Sequence, residues 1–136
     1  MWISEMAARS AREAESAVEA GRVSIGGASP AVYADGELRG LRVLAPGGYR
    51  WRPSVGDDVL VLKTPDGAAY VAGAEQGGTG ANLENGEVCI VSGGGAELRL
   101  KNNGGIELRG PVRLVGRVDI EGSLYLNGVR MLPVSL

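Results

Sequence analysis

From residue 104 to residue 128 the chain reads GGIELRGPVRLVGRVDIEGSLYLNG, with a glycine at every sixth position: Gly104, Gly110, Gly116, Gly122 and Gly128. Between the glycines each unit carries two aliphatic residues on alternate positions. The pairs are Ile106/Leu108, Val112/Leu114, Val118/Ile120 and Leu124/Leu126. A period of two inside a period of six predicts short strands with one apolar face and a tight bend after each. The intervening positions agree, because Glu107, Arg109, Arg113, Arg117, Asp119, Glu121 and Asn127 are polar or charged, with Val115 and Tyr125 the exceptions. Such a stripe cannot be buried within one short chain, so assembly is the first expectation.

The repeat extends upstream less regularly. Val88 and Ile90 hold the same phase, with Ser92 where a glycine is expected. Leu98 and Leu100 keep the alternation, while residues 93–103 slip and Lys101-Asn-Asn103 adds a longer turn. In this register Cys89 points away from the Val88/Ile90 face as a free thiol. A lone chain winding these strands into a solenoid would make about two coils, fewer than the ~3 repeats such stacks need. Three identical chains around one axis meet the requirement better. The core of that trimer is Val88, Ile90, Leu98, Leu100, Ile106, Leu108, Val112, Leu114, Val118, Ile120, Leu124 and Leu126. The glycines then occupy corners, where the chain bends sharply or approaches another backbone.

Composition sets the remaining bounds. The 136 residues include 23 glycines and no phenylalanine or histidine, which suits thin repetitive β-structure. The net charge is −2, with no electrostatic footprint for a nucleic-acid backbone. Cys89 is the only cysteine, so no disulfide forms within the chain. No secretory signal and no membrane span is expected. The expected site of synthesis and folding is a reducing cytoplasm.

Residues 1–21 read as an N-terminal helix segment. Alanine, glutamate and arginine dominate, a narrow stripe runs through Ile3, Ala7, Ala11, Ala14 and Val18, and Gly21 serves as the stop. Residues 22–75 read as a small barrel of the OB type, with a sandwich fragment as the competing arrangement and strands expected at 22–25, 31–34, 38–44, 49–52, 58–63 and 69–73. The turns between them are marked by Asp35-Gly36, Pro46-Gly47-Gly48 and Pro65-Asp66-Gly67. Residues 76–86 read as a polar, glycine-rich linker, and residues 87–136 as the trimeric β-helix shaft with an apolar tail.

A Pro53-Ser-Val-Gly-Asp-Asp-Val-Leu-Val-Leu62 stretch in a short barrel, followed by a glycine-punctuated prism, resembles the baseplate assembly protein V family, the central spike of contractile phage tails of the P2 and Mu type. More distantly it is similar to the spike portion of the valine-glycine repeat proteins of type VI secretion. The resemblance covers roughly residues 21–131. It implies a homotrimeric virion component of the tail baseplate, assembled in the host cytoplasm. The barrels would dock to tail hub or tube proteins, and the shaft would make transient contact with the host envelope. Spikes of that family commonly end in a His-x-His motif that binds iron, and this chain has no histidine, so no metal tip is expected. Met131, Leu132, Val134 and Leu136 either close the prism or form a platform for a separate tip protein, the reading preferred here.

No enzyme and no cofactor is expected. Without histidine there is neither a Ser-His-Asp triad nor a Cys-His pair. Asp57-Asp58 follows Gly56 at a strand start, where a turn role fits better than acid–base work. Gly93-Gly-Gly95 lacks the Lys-Ser/Thr of a phosphate loop, and no calcium-loop spacing appears. Tyr33, Tyr49, Trp51 and Tyr70 are aromatics of the kind that stack bases, and one patch is suggestive: Arg42, Arg50 and Arg52 alternate with aromatics around Tyr49 and Trp51. Barrel building is the simpler reading of those side chains, and no nucleic acid is expected. A trimeric tail-fibre or adhesin-stalk segment is the remaining alternative.

Overall fold

A computed structural model describes residues 17–77 and 82–133, and they are essentially all β. The chain divides into two compact units, Met1–Thr79 and Gly80–Leu136.

The first unit is a six-stranded sheet. Its strands are β1 (Val18–Ile25), β2 (Ala31–Ala34), β3 (Gly36–Leu38), β4 (Arg42–Val43), β5 (Asp58–Lys63) and β6 (Ala69–Ala74), in the order β3-β2-β1-β5-β6-β4. All neighbours are antiparallel except β4 and β6, which run parallel with Arg42 opposite Tyr70 and Val43 opposite Val71. Alternation in β5 buries Val59 and Val61 and turns Asp58 and Leu60 outward. The sheet curls, because residues from both ends of the strand order share one core. Val32 of β2 and Leu41, next to β4, join Val23, Val59, Val61 and Val71, with Leu38, Trp51 and Ala69 packed against them. Leu41 N–H also donates to the Pro30 carbonyl at 3.0 Å, tying the β4 edge to the start of β2. The core is mostly valine, as expected of a thin, strongly curved sheet without phenylalanine.

Three expectations change here. The N-terminal helix segment 1–21 lies outside the described residues up to residue 16, and Val18–Gly21, included in that helix, are strand. Tertiary pairing overrides the helical preference of Val-Glu-Ala: Val18 to Arg22 pair in register with Leu62 to Asp58, and Glu19 takes an ion pair from Lys63 at 3.0 Å. Gly21 is no helix stop. A Cβ there would sit 2.5 Å from Val32 Cγ1 and 2.9 Å from the Tyr33 carbonyl oxygen, so glycine lets β2 close onto β1. The strand expected at 38–44 is interrupted at Gly40 (φ 63°), and residues 49–52 join no ladder. Instead the Pro46-Gly-Gly-Tyr49 turn is closed by Tyr49 N–H to the Pro46 carbonyl, and Trp51 lays its ring against the core.

The second unit holds β7 (Val88–Val91), β8 (Glu97–Leu100) and β9 (Ile106–Arg109) as a three-stranded antiparallel sheet, then β10 (Leu124–Leu126) and β11 (Val129–Met131) as a hairpin. The irregular stretch 93–103 therefore contains two hairpin turns around β8. In the first, Ser92 N–H donates to the Ala96 carbonyl and Gly95 N–H to the Ser92 carbonyl, both at 3.0 Å. In the second, Lys101 N–H donates to Gly105 and Gly104 N–H to Lys101. Residues 82–87, the end of the expected linker, include a turn with Glu87 N–H on the Glu84 carbonyl.

Candidate assembly surface

The register of β7, β8 and β9 places the upstream aliphatics on one face. Val88 stands opposite Leu100 and Ile90 opposite Leu98, while Leu98 faces Leu108 and Leu100 faces Ile106. Six side chains thus form a two-by-three apolar array, of which Val88, Ile90, Leu100, Ile106 and Leu108 are exposed and Leu98 is half-buried. Leu108 remains 59% exposed and Ile106 69%. A contiguous apolar array left open to water marks an interaction surface rather than an ordinary solvated face.

The opposite face carries the charges, and its central pair, Glu97 and Arg99, is half-buried. Glu97-Leu-Arg99 on β8 repeats as Glu107-Leu-Arg109 on β9, and antiparallel pairing sets Glu97 opposite Arg109 and Arg99 opposite Glu107. Like charges are kept off directly opposed positions, which a sheet face requires. Arg99 Nε bonds Glu97 Oε2 at 2.8 Å, Arg109 bonds Glu107 at 3.0 Å, and Lys101 Nζ reaches Glu107 Oε1 at 3.1 Å. The hydrogen bond from Arg99 holds the Glu97 carboxyl below its usual range, and the Lys101 ammonium followed by Arg109 does the same for Glu107. Glu87 is lowered by backbone N–H donors, first Glu84 and then Asn102. That carboxylate, with Asn102 Nδ2 on the Asn85 carbonyl at 2.9 Å, clips the entry to β7 onto the β8–β9 turn. Cys89 is a free thiol on this polar side, opposite Arg99 and half-buried.

After Gly110 the character changes. Among the described residues, 111–123 join no strand ladder and make no backbone–backbone hydrogen bond. Val112, Leu114, Val118 and Ile120 are all exposed, Val118 at 52% and Ile120 at 57%. The glycines at 104, 110, 116, 122 and 128 all take positive φ, from 78° at Gly128 to 123° at Gly110, a region that side chains avoid. The sixfold beat is thus a repeated backbone turn. At its end Asn127 (φ 49°) and Gly128 make the two-residue turn of a hairpin, with Leu124 opposite Met131 and Leu126 opposite Val129. Met131 therefore continues the apolar face of the hairpin, and Leu132 beyond it is exposed. Val134 and Leu136 lie outside the described residues.

The polar network was the part the hexad analysis missed; the repeated Glu-Leu-Arg triplet was its signal. Among the described residues no group of three or more His, Cys, Asp or Glu side chains is placed to hold a metal ion, and no helix is long and apolar enough to cross a membrane. No family model matches this sequence, and no curated protein matches it.

Proposed function

We propose that this chain is a structural spike component of a contractile phage tail or related injection particle. Three copies join through the apolar face of residues 88–126. The carrying observation is the open two-by-three aliphatic array of β7–β9, continued by a segment whose backbone has no ladder of its own. Three copies supply both missing elements at once: apolar arrays for one another around an axis, and neighbouring strands for residues 111–123. In this arrangement Gly110 divides the shaft. Above it each chain contributes a finished sheet packed by side chains; below it the chains intertwine as a triple-stranded β-helix.

The curled sheet of residues 18–74, with its parallel β4–β6 pair, serves in this reading as an OB-type barrel that forms a collar and docks to hub or tube proteins. The exposed hairpin 124–131 and Leu132 lie at the end of the shaft, where a separate tip protein would seat. No catalysis and no bound cofactor enter this role. Static light scattering of the purified chain tests it directly. Three times the monomer mass is the expected result, and a monomer at micromolar concentration refutes the assembly. Locating the chain on the central axis of tail particles by microscopy separates a spike from a peripheral fibre or adhesin stalk.

A further inference from the structure

The first unit carries a second surface that trimer formation through the shaft does not explain. Next to β4 a groove is lined by Leu41, Val43, Trp51, Arg42, Arg50 and Arg52, with Tyr49 at its side. It is firmly built. The Trp51 indole N–H donates to the Leu44 carbonyl at 3.3 Å, and the ring packs on the valine core. On one side of Trp51, Tyr49 N–H closes the Pro46 turn; on the other, the carbonyl of buried Pro53 accepts from Gly27 N–H at 3.1 Å. Arg50 and Arg52 flank that anchored tryptophan and are exposed. The Arg42 guanidinium lies over the Tyr70 ring, 5.9 Å from its centroid.

Arg22, Arg39, Arg99, Arg109 and Arg117 each form an ion pair with a carboxylate. Among the described residues Arg42, Arg50 and Arg52 form none, and no carboxylate lines the groove. Arg113 and Arg130, in the other unit, also form no ion pair among the described residues, but this groove brings three such guanidiniums together. Asp66, in the Thr64–Ala68 turn, feels the charge of Arg42, but its carboxyl is already engaged by Thr64 and by Ala68 N–H. Three guanidiniums without an ion pair among the described residues, beside Tyr and Trp in a chain of net charge −2, concentrate positive charge here.

We infer that this groove is a docking site for an acidic peptide segment of another protein. Guanidinium forks bind carboxylates in bidentate fashion, and Arg, Tyr and Trp are the side chains that dominate protein interfaces. A nucleic acid fits less well. Three cations would displace few counterions, giving a log–log salt slope of only about −2 on a single strand. The inference does not depend on the trimer, and the two fail separately, since mass reads one and groove binding the other.

The test uses the full chain and two labelled probes, hexaglutamate and a short oligothymidylate, followed by fluorescence anisotropy at low and moderate salt. Hexaglutamate is expected to bind and to weaken with salt. The Arg50→Glu/Arg52→Glu variant is expected to lose at least tenfold in affinity, and Arg113→Glu, in the other unit, to bind as the parent does. Both groove positions are exposed, so an unchanged thermal midpoint will show that the fold persists. Absence of hexaglutamate binding, or equal loss in the Arg113 variant, overturns the proposal. Tighter binding of oligothymidylate overturns it in favour of a nucleic-acid groove.

Discussion

Ile120→Ala measures the assembly face at a position where the lone chain forms no ladder. Burying a whole isoleucine side chain stabilises by about 1.5–3 kcal/mol. Ile120 keeps 57% of its surface exposed in the single chain, so over half of that burial is left for partners to complete. Truncation should then cost about 1 kcal/mol per chain and about 3 kcal/mol per trimer, before any cavity left at the axis adds to it. A loss of that size is roughly a hundredfold in the dissociation constant. Val115 is the matched control: it is 84% exposed, it lies out of phase with the aliphatic stripe, and Val115→Ala should stay within about 0.5 kcal/mol. Guanidinium dissociation curves, recorded by light scattering at several protein concentrations, give both values, because chain separation makes the midpoint concentration-dependent. Equal shifts for the two variants would refute the inward assignment of Val118 and Ile120.

Three further outcomes are expected. In an assembly-blocked Ile120→Asp chain, hydrogen exchange read by mass spectrometry should leave β7–β9 amides slower than those of residues 111–123, since only the former have in-chain ladders; equal rates would contradict the division at Gly110. Because folding holds the Glu87, Glu97 and Glu107 carboxyls below their usual range, their contribution is present above about pH 4.3 and is lost as pH falls through the lower folded values. Thermal midpoints should therefore fall from pH 6 to pH 3, and a Glu97→Gln/Glu107→Gln chain should show a shallower fall. Gly21→Ala should destabilise the first unit by about 1–3 kcal/mol through the clash with Val32 and the Tyr33 carbonyl, whereas Gly47→Ala, in open space without positive φ, should be nearly neutral in chemical unfolding.

Period carried most of what was legible. The alternation in residues 58–63 and 69–73 around Pro65-Asp66-Gly67 predicts two strands joined by a turn, and β5 and β6 pair as a hairpin. Ile106–Arg109 and Leu124–Leu126 are strands where the hexads placed them. The rest depended on partners distant in sequence. Nothing local says that Gly21 must admit Val32, so an alanine- and glutamate-rich approach reads as helix up to that glycine. The slip at 93–103 looked like decay of the repeat because a hexad template has no place for two consecutive hairpin turns. Trp51 reads as part of a strand, but its ring, not its backbone, attaches residues 49–52 to the curled sheet. The apolar stripe is legible as a pattern of side chains; that residues 111–123 join no ladder among the described residues is seen only in the fold.

That unladdered stretch has a consequence for the cell that makes the chain. Residues 111–123 offer open backbone and aliphatic side chains to any passing strand, the usual template for aggregation. Gatekeepers are interleaved along it: Pro111 withholds a donor, and Arg113, Arg117, Asp119 and Glu121 place charge between the aliphatic residues. These residues discourage promiscuous pairing while leaving the in-phase partner acceptable. For the proposed trimer, newly made chains are therefore safest when they meet their own kind quickly, as on one polysome. Synthesis that outruns encounter should drive this protein into inclusion bodies, with the nucleating segment starting just after Gly110.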